Sequence, residues 1–355
     1  MARRRAPARR RVSAPSGIGG VMPALPAGPP VHGSLLDLWL GPDGRLSAFA
    51  TARAALAALL RSRDVRRAWL PAYACDSLAL GAAACGAEVD FYALDRQLRP
   101  DVEALAKALA PGDAVIVVDH FGCALVEAWR PLRARFADIL WIEDRAQALD
   151  TGQPPLGETR LFSPRKLAGV ADGGLLVGDT PPPMPQGAAD ESVWAPEEAR
   201  ASDPKGRHPE RWFPQHQARE SAFTAAPAPA TARTMAALRS LPAAPVAARR
   251  RANWRRLADL LPGFALWPLT DPAFAPLAFP IVVEDAGAAQ AALAEERIWS
   301  PRHWASLPSD PDRFPDCHWL AARCLSLPCD QRYGEVEMVR IADAVRRRLR
   351  TPQPR

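Results

Sequence analysis

AVIVVDHFGCALVEAWRPLRARFADILWIED, residues Ala114 to Asp144, decides how this chain folds. It starts and ends with apolar runs that lack the in–out alternation of a half-exposed strand. A helix-length segment near Leu125–Phe136 separates them. A strand apolar on both sides is covered on both sides, as in a parallel sheet flanked by helices. The same rhythm extends outward from about Leu46 to Asp179. Upstream it gives a helix in TARAALAALLRSR, a strand at Arg67–Leu70, a helix at Asp76–Ala84, a strand at Glu88–Leu94 and a helix at Asp101–Ala110. Downstream come two extended runs, ETRLFS and GGLLVGD. This predicts an α/β domain over residues 34–241 with a mostly parallel sheet.

Within it, residues 180–230 break the rhythm with Pro-rich and polar stretches, and read as a long irregular connection. Beyond it, AARRRANWRRLADLL, DAGAAQAALAEE and Glu335–Leu349 read as helices, with strands near Phe264–Trp267 and Phe279–Val283. Residues 242–355 are therefore expected to form a smaller α+β domain. A chain of 355 residues is long enough for both.

The formal charge of +6 is concentrated at one end. Arg3, Arg4, Arg5, Arg9, Arg10 and Arg11 have no acid near them; without them, 39 basic residues face 39 acidic ones. A neutral body argues against a protein built to cover nucleic acid. Residues 1–33 form an Arg/Pro-rich tail, read either as a basic arm or targeting signal, or as a disordered extension with Met22 as an alternative start. The second reading is preferred. No stretch is long and apolar enough to span a membrane, and the six cysteines show no paired metal spacing. Reduced thiols, no metal and a cytoplasmic location are the expectation.

Of 45 basic residues only Lys107, Lys166 and Lys205 are lysine. Arginine serves wherever any positive charge suffices, but only lysine loses its proton readily enough to condense with a carbonyl. Lys107 reads as helix surface and Lys205 as loop. Lys166 follows the strand ETRLFS, whose end is Ser163-Pro164-Arg165-Lys166. Ligands of open α/β sheets sit at such carboxyl ends. The other ends offer Asp119-His120 and Glu143-Asp144-Arg145-Ala146-Gln147, while Thr51-Ala52-Arg53 opens the first strong helix.

Together these suit a phosphate-bearing pyridine aldehyde. The helix start takes the phosphate through free N–H groups, and Ala52 lets the backbone approach. Asp144 pairs with the pyridine nitrogen, Gln147 with the ring hydroxyl, and Lys166 with the aldehyde. Each residue alone has a plainer reading. Asp144 caps the next helix, Ser163 caps a turn, Arg53 faces solvent, and His120 is structural.

The segments FATARAAL, LPAYACDSL, VVDHFG, WIEDRAQAL and FSPRKLAGVADGGLLV follow the order and approximate spacing of a known family. In them the chain resembles the DegT/DnrJ/StrS-type PLP-dependent sugar aminotransferases, on the aspartate-aminotransferase-like fold (fold type I). The resemblance covers about Leu46–Asp179 and resumes weakly in RRRANWRRLADLL and CLSLPCDQRYGEVEMVRIADAV. It implies pyridoxal 5′-phosphate as cofactor, held covalently by Lys166. Asp144 would be the pyridinium partner, Gln147 the residue beside the ring hydroxyl, Ala52 and Arg53 the backbone phosphate donors, and Ser163 a hydroxyl donor. It also implies a homodimer with sites at the subunit interface, moving an amino group from glutamate to a keto sugar nucleotide in polysaccharide or secondary-metabolite biosynthesis.

The chain departs from the pattern in four places. Cys75 stands where the family places an aromatic ring over the cofactor, with Tyr73 two residues earlier as a substitute. The Ser163–Lys166 gap is short. Arg145 replaces a small residue, either to grip a substrate carboxylate or phosphate or to pair with Glu143. The family's partner-subunit asparagine has no counterpart, since Asn253 is the only asparagine in the chain. Two alternatives therefore stand beside the aminotransferase: another reaction on the same fold, such as dehydration, and a non-catalytic regulator. Sugar dehydratases of the family lack the lysine, which counts against the first.

Overall fold

The computed structural model describes residues 16–351 apart from Ala27 and Asp43, so the arginines of the tail lie outside the described residues. In chain order the strands are β1 (Ile18–Gly19), β2 (Arg45–Phe49), β3 (Arg67–Pro71), β4 (Glu88–Tyr92), β5 (Asp113–Val118), β6 (Leu140–Asp144), β7 (Thr159–Phe162), β8 (Gly174–Gly178), β9 (Phe279–Val282), β10 (Ile298–Trp299) and β11 (Cys324–Leu327). The helices are α1 (Leu35–Leu40), α2 (Ala52–Ser62), α3 (Asp76–Ala83), α4 (Val102–Ala106), α5 (Val126–Arg135), α6 (Ala195–Ala201), α7 (Phe213–Ala222), α8 (Ala232–Ser240), α9 (Ala243–Leu260), α10 (Ala286–Glu295), α11 (Pro315–Arg323) and α12 (Glu335–Arg348).

Seven strands form the main sheet in the order β2-β8-β7-β6-β5-β3-β4. The five from β7 to β4 run parallel, while β8 lies antiparallel to both β7 and β2. The expected mostly parallel sheet is present, and its apolar strands are buried on both faces. Ile116 and Ile142 join the core beneath α2 and α3, whereas Val115, Val117 and Trp141 join the core around α5 and α11. The C-terminal region has its own antiparallel pair, β9–β11, and a core shared by α9, α10 and α12. Phe264–Trp267 is not a strand; it contributes one bridge, Ala265 to Ile281. Among the described residues no helix is long and apolar enough to cross a membrane.

Gly173-Gly174 shows how sequence sets the entry to the site. A Cβ on Gly174 would lie 2.1 Å from the carbonyl of Thr51 and 2.3 Å from the nitrogen of Ala52, so only glycine lets β8 pass the start of α2. Gly173 has φ +120°, outside the range comfortable for other residues. Thr51 caps the helix, its hydroxyl accepting from the Ala54 N–H at 3.0 Å.

Two expectations change. Residues 16–26, expected within a tail, are built into the body. Ile18 is 1% exposed, β1 pairs in parallel with β10, and the Gly19 N–H donates to the Tyr333 hydroxyl at 2.7 Å. The composition was that of a tail, but its partners, from Gly169 to Tyr333, lie far along the chain, where local reading does not reach. A chain started at Met22 would lack β1. Residues 180–230, expected to be irregular, contain α6 and α7, both opened by proline in the first turn.

Candidate active site

The carboxyl ends of β5, β6 and β7 meet beside the start of α2. Asp144, the last residue of β6, is 5% exposed. Its Oδ1 accepts from the Ala146 N–H at 2.9 Å, while its Oδ2 has no hydrogen bond to a described residue. Burial raises the Asp144 carboxyl above its ordinary value, and the charge of Lys166 and the Ala146 N–H pull it back. Lys166, at the end of a short turn after β7, is half-buried. Its charge is felt by Asp144, His120 and His303, so the lysine and the carboxylate share one electrostatic neighbourhood.

Gln147 is 1% exposed, and its Oε1 accepts the Phe121 N–H at 2.8 Å. That bond depends on the turn after β5, where Phe121 has φ +56° and Gly122 φ +98°. It fixes the amide so that its NH₂ group is the end left to donate. At α2, the Arg53 N–H has no hydrogen bond to a described residue and remains available to an anion, while the Ala52 N–H faces the Gly173 carbonyl in the bridge between Thr51 and Gly173. The side chains at this helix start are engaged. The Arg53 guanidinium donates to the Phe223 carbonyl at 2.7 Å and to the Ser77 hydroxyl at 2.8 Å, and the Thr51 hydroxyl donates to the Thr224 carbonyl at 3.3 Å. Arg53 therefore does not face solvent. Ser163 is buried, 3% exposed, at the end of β7.

Cys75 is the half-buried N-cap residue of α3, without a side-chain cap bond, against the core under α2 and α3. Tyr73 is committed elsewhere: its hydroxyl donates to the His303 carbonyl and its ring packs on His120 and Trp304. Of the two readings of Arg145, the ion pair is the one present. Its Nη2 lies 2.8 Å from Glu143 and its Nε 3.6 Å from Asp119. Burial, reinforced by the Glu143 charge, pushes the Asp119 carboxyl well above the usual range, leaving Arg145 to balance Glu143. Asn253 is structural, its amide nitrogen 3.0–3.2 Å from the carbonyls of Cys329, Asp330 and Tyr333.

A cavity of about 820 Å³ opens on Lys166. Its walls come from the strap Gly17–Met22, from α6 and α7, and from the segments around His303 and Arg332. Among the seven residues singled out in the sequence, only Lys166 lines it. The residues at the start of α2 are not among those that line it.

Three further residues hold the site together; of these the sequence marked His120 alone, as a structural histidine. Arg250 of α9 is fully buried. It donates to the Leu167 carbonyl at 2.9 Å, to the Pro276 carbonyl at 2.7 Å and to the Gln331 Oε1 at 2.8 Å, while Gln331 donates to the same Leu167 carbonyl at 3.0 Å. The peptide following Lys166 is thereby clamped to the C-terminal region. Arg250→Ala strands those carbonyls and is expected to cost on the order of 3 kcal/mol, read as a lower denaturant midpoint at unchanged m value. An unchanged midpoint would show the clamp to be idle.

His120 and His303 are the other two. His120 donates from Nε2 to the Tyr73 carbonyl at 2.8 Å, and His303 Nδ1 lies 2.7 Å from the Ser326 hydroxyl. Burial holds His120 down at about 4 and His303 at about 3, with the Lys166 charge acting the same way. Between pH 6.5, where histidine titrates in the unfolded chain, and these values, the unfolded state takes up protons that the fold refuses. Their contribution to stability therefore falls with acidification. His120→Gln should flatten the dependence of unfolding free energy on pH across 6.5 to 4 relative to wild type; equal slopes would contradict the assignment.

No family model and no curated protein matches the sequence. Solved structures do match. The fold is that of the sugar aminotransferases of the DegT/DnrJ/EryC1/StrS type. A DegT DnrJ EryC1 StrS aminotransferase from Brucella abortus has a TM-score of 0.64 at 19% identity, over 88% of this chain and 87% of its own. DesV from S. venezuelae gives 0.64 at 19%, over 85% and 84%. The sugar aminotransferase CalS13 from Micromonospora echinospora gives 0.63 at 17%, over 94% and 99%. At such identities the likeness establishes the fold, so function rests on the site.

Proposed function

We propose that the chain is a pyridoxal-phosphate-dependent aminotransferase that moves an amino group, from glutamate in our reading, to a keto sugar nucleotide or related carbonyl compound. The observation that carries this is a half-buried lysine whose charge reaches a buried strand-end carboxylate, near a helix start where the Arg53 N–H is left for an anion. The residues present fit the cofactor. Bound there, it would supply an aldehyde for the lysine amine and a cationic ring that draws electrons from the carbon carrying the transferred nitrogen.

The chain's own residues do the rest. Asp144 holds a proton on the ring nitrogen through the oxygen that Ala146 leaves free. The amide NH₂ of Gln147, fixed by Phe121, donates to the ring hydroxyl. Ala52, Arg53 and Ser163 would hold the phosphate, and the Lys166 amine would both hold the aldehyde and serve as a general base. Cys75, at the N-cap of α3, would stand in place of an aromatic cover. The same reading carries a homodimer working in the cytoplasm, with no nucleic-acid partner. Structural neighbours support the substrate class: DesI was solved in the presence of its TDP-sugar product, and CalS13 is a sugar aminotransferase.

Product analysis with and without glutamate tests the reading. An amino product that appears only with the donor supports transfer. Product formed equally without it would replace transfer by an elimination on the same fold.

A further inference from the structure

Among the described residues, the charges that line the cavity, Lys166 itself apart, are matched except in one place. Arg165 pairs with Glu220, Arg219 with Glu197 and Glu220, and Arg332 with Asp330. Arg200 of α6 is left over. Its residue is 7% exposed, and it has no carboxylate within ion-pairing distance among the described residues. Glu197, one turn earlier, is taken by Arg219. The Asp203 carboxylate is taken by the N–H groups of Arg207 and His208 and by the Trp212 indole.

What Arg200 does contact is neutral. Its Nε donates to the Val21 carbonyl at 3.2 Å, its Nη1 to the Asp203 carbonyl, and its guanidinium lies 5.2 Å from the centre of the Trp212 ring. Nη2 has no hydrogen bond to a described residue. Arg332 stands beside it, donating to the same Val21 carbonyl at 3.2 Å, but carries its own counter-ion. A guanidinium withdrawn from water without a counter-charge is costly, and the strap through Val21 and the Trp212 ring hold its fork in place. This is how a protein builds a socket for an anion that arrives from outside.

We propose that Arg200 anchors an oxyanion of the substrate, a carboxylate or a phosphate, in the cavity it shares with Lys166. The role in catalysis rests on the aminotransferase reading; the binding itself does not. With Lys166 engaged by the cofactor, Arg200 is the one uncompensated positive charge among the described residues that line the cavity. The strap Gly17–Met22, which supplies the Val21 carbonyl, is then part of the substrate wall.

The test is calorimetric titration of the full chain, saturated with pyridoxal phosphate so that the cofactor's own phosphate cradle is filled, with inorganic phosphate and with glutarate. Wild type, Arg200→Met and Arg200→Lys are compared, with melting curves to confirm folding. Wild type should bind at least one probe. Arg200→Met should weaken that binding tenfold or more, and Arg200→Lys, which keeps the charge but loses the fork, by a smaller factor above twofold. Loss confined to glutarate assigns a carboxylate; loss confined to phosphate assigns a phosphate. Should Arg200→Met not fold, Arg200→Lys decides alone. Wild type binding neither probe, or variants binding as wild type does, overturns the proposal. A protein that takes up no cofactor sinks the aminotransferase reading while leaving the titration readable.

Discussion

Lys166→Ala should reduce turnover at least about 10³-fold while leaving the melting temperature within a degree or two. The size of the effect follows from what the proposed function asks of the amine: to bind the cofactor covalently and to act as a general base. The small effect on stability follows from the structure. The side chain is half-buried at the cavity edge, and the turn is held by backbone bonds, Lys166 N–H to Ser163 at 3.2 Å and Leu167 N–H to Pro164 at 2.9 Å. Lys166→Arg makes the sharper control. It keeps a positive charge near Asp144, His120 and His303, yet cannot condense with an aldehyde, and should be as inactive as the alanine variant. Measurable turnover by Lys166→Arg would reduce the lysine to a point charge.

Asp144→Asn should cost about 10²–10³-fold in turnover, because an amide does not hold a proton on a pyridine nitrogen and the ring loses its electron sink. Asparagine keeps an oxygen where the Ala146 N–H donates at 2.9 Å, so the turn after β6 survives. The stability effect has a definite sign. Burial has raised the Asp144 carboxyl, which means the fold disfavours its charge, so a neutral isostere should melt at the same temperature as wild type or higher near pH 7. A variant that is fully active, or that melts well below wild type, would make Asp144 a structural cap. Steady-state rates and melting curves on one preparation separate the two.

What local sequence shows and what it hides divide along a physical line. β5 and β6 were legible because a strand covered on both faces must be apolar throughout, and the polar residues that end it then stand out. Asp144, Gln147 and Lys166 were legible for that reason, and lysine rarity sharpened the last. Gly174 was legible as a Gly-Gly strand, although its reason, the carbonyl of Thr51 2.1 Å from where a Cβ would stand, is tertiary. Arg250 was not legible: it sits inside RRRANWRR, and nothing local marks which of five arginines turns inward to hold the Leu167 carbonyl. Arg200 was hidden likewise, since its meaning lies in the pairing of its neighbours. The strap at Ile18 was concealed by its composition, because its partners Ile298 and Tyr333 are far along the chain.

The structure also decides between readings that the sequence left open for two residues. Arg145 offers no free grip on substrate, being held between Glu143 and Asp119. The free guanidinium of the cavity comes instead from the segment read as an irregular connection. Tyr73, packed on His120 and tied to the His303 carbonyl, serves the interior.

Everything in the functional account depends on the Lys166 amine forming a bond to the cofactor. Borohydride treatment of the protein incubated with pyridoxal phosphate, followed by proteolysis and peptide mass measurement, tests this directly. The account predicts the cofactor's mass fixed on the peptide that contains Lys166 and its absence from Lys166→Arg. Modification spread over Lys107 and Lys205, or none on Lys166, would contradict it.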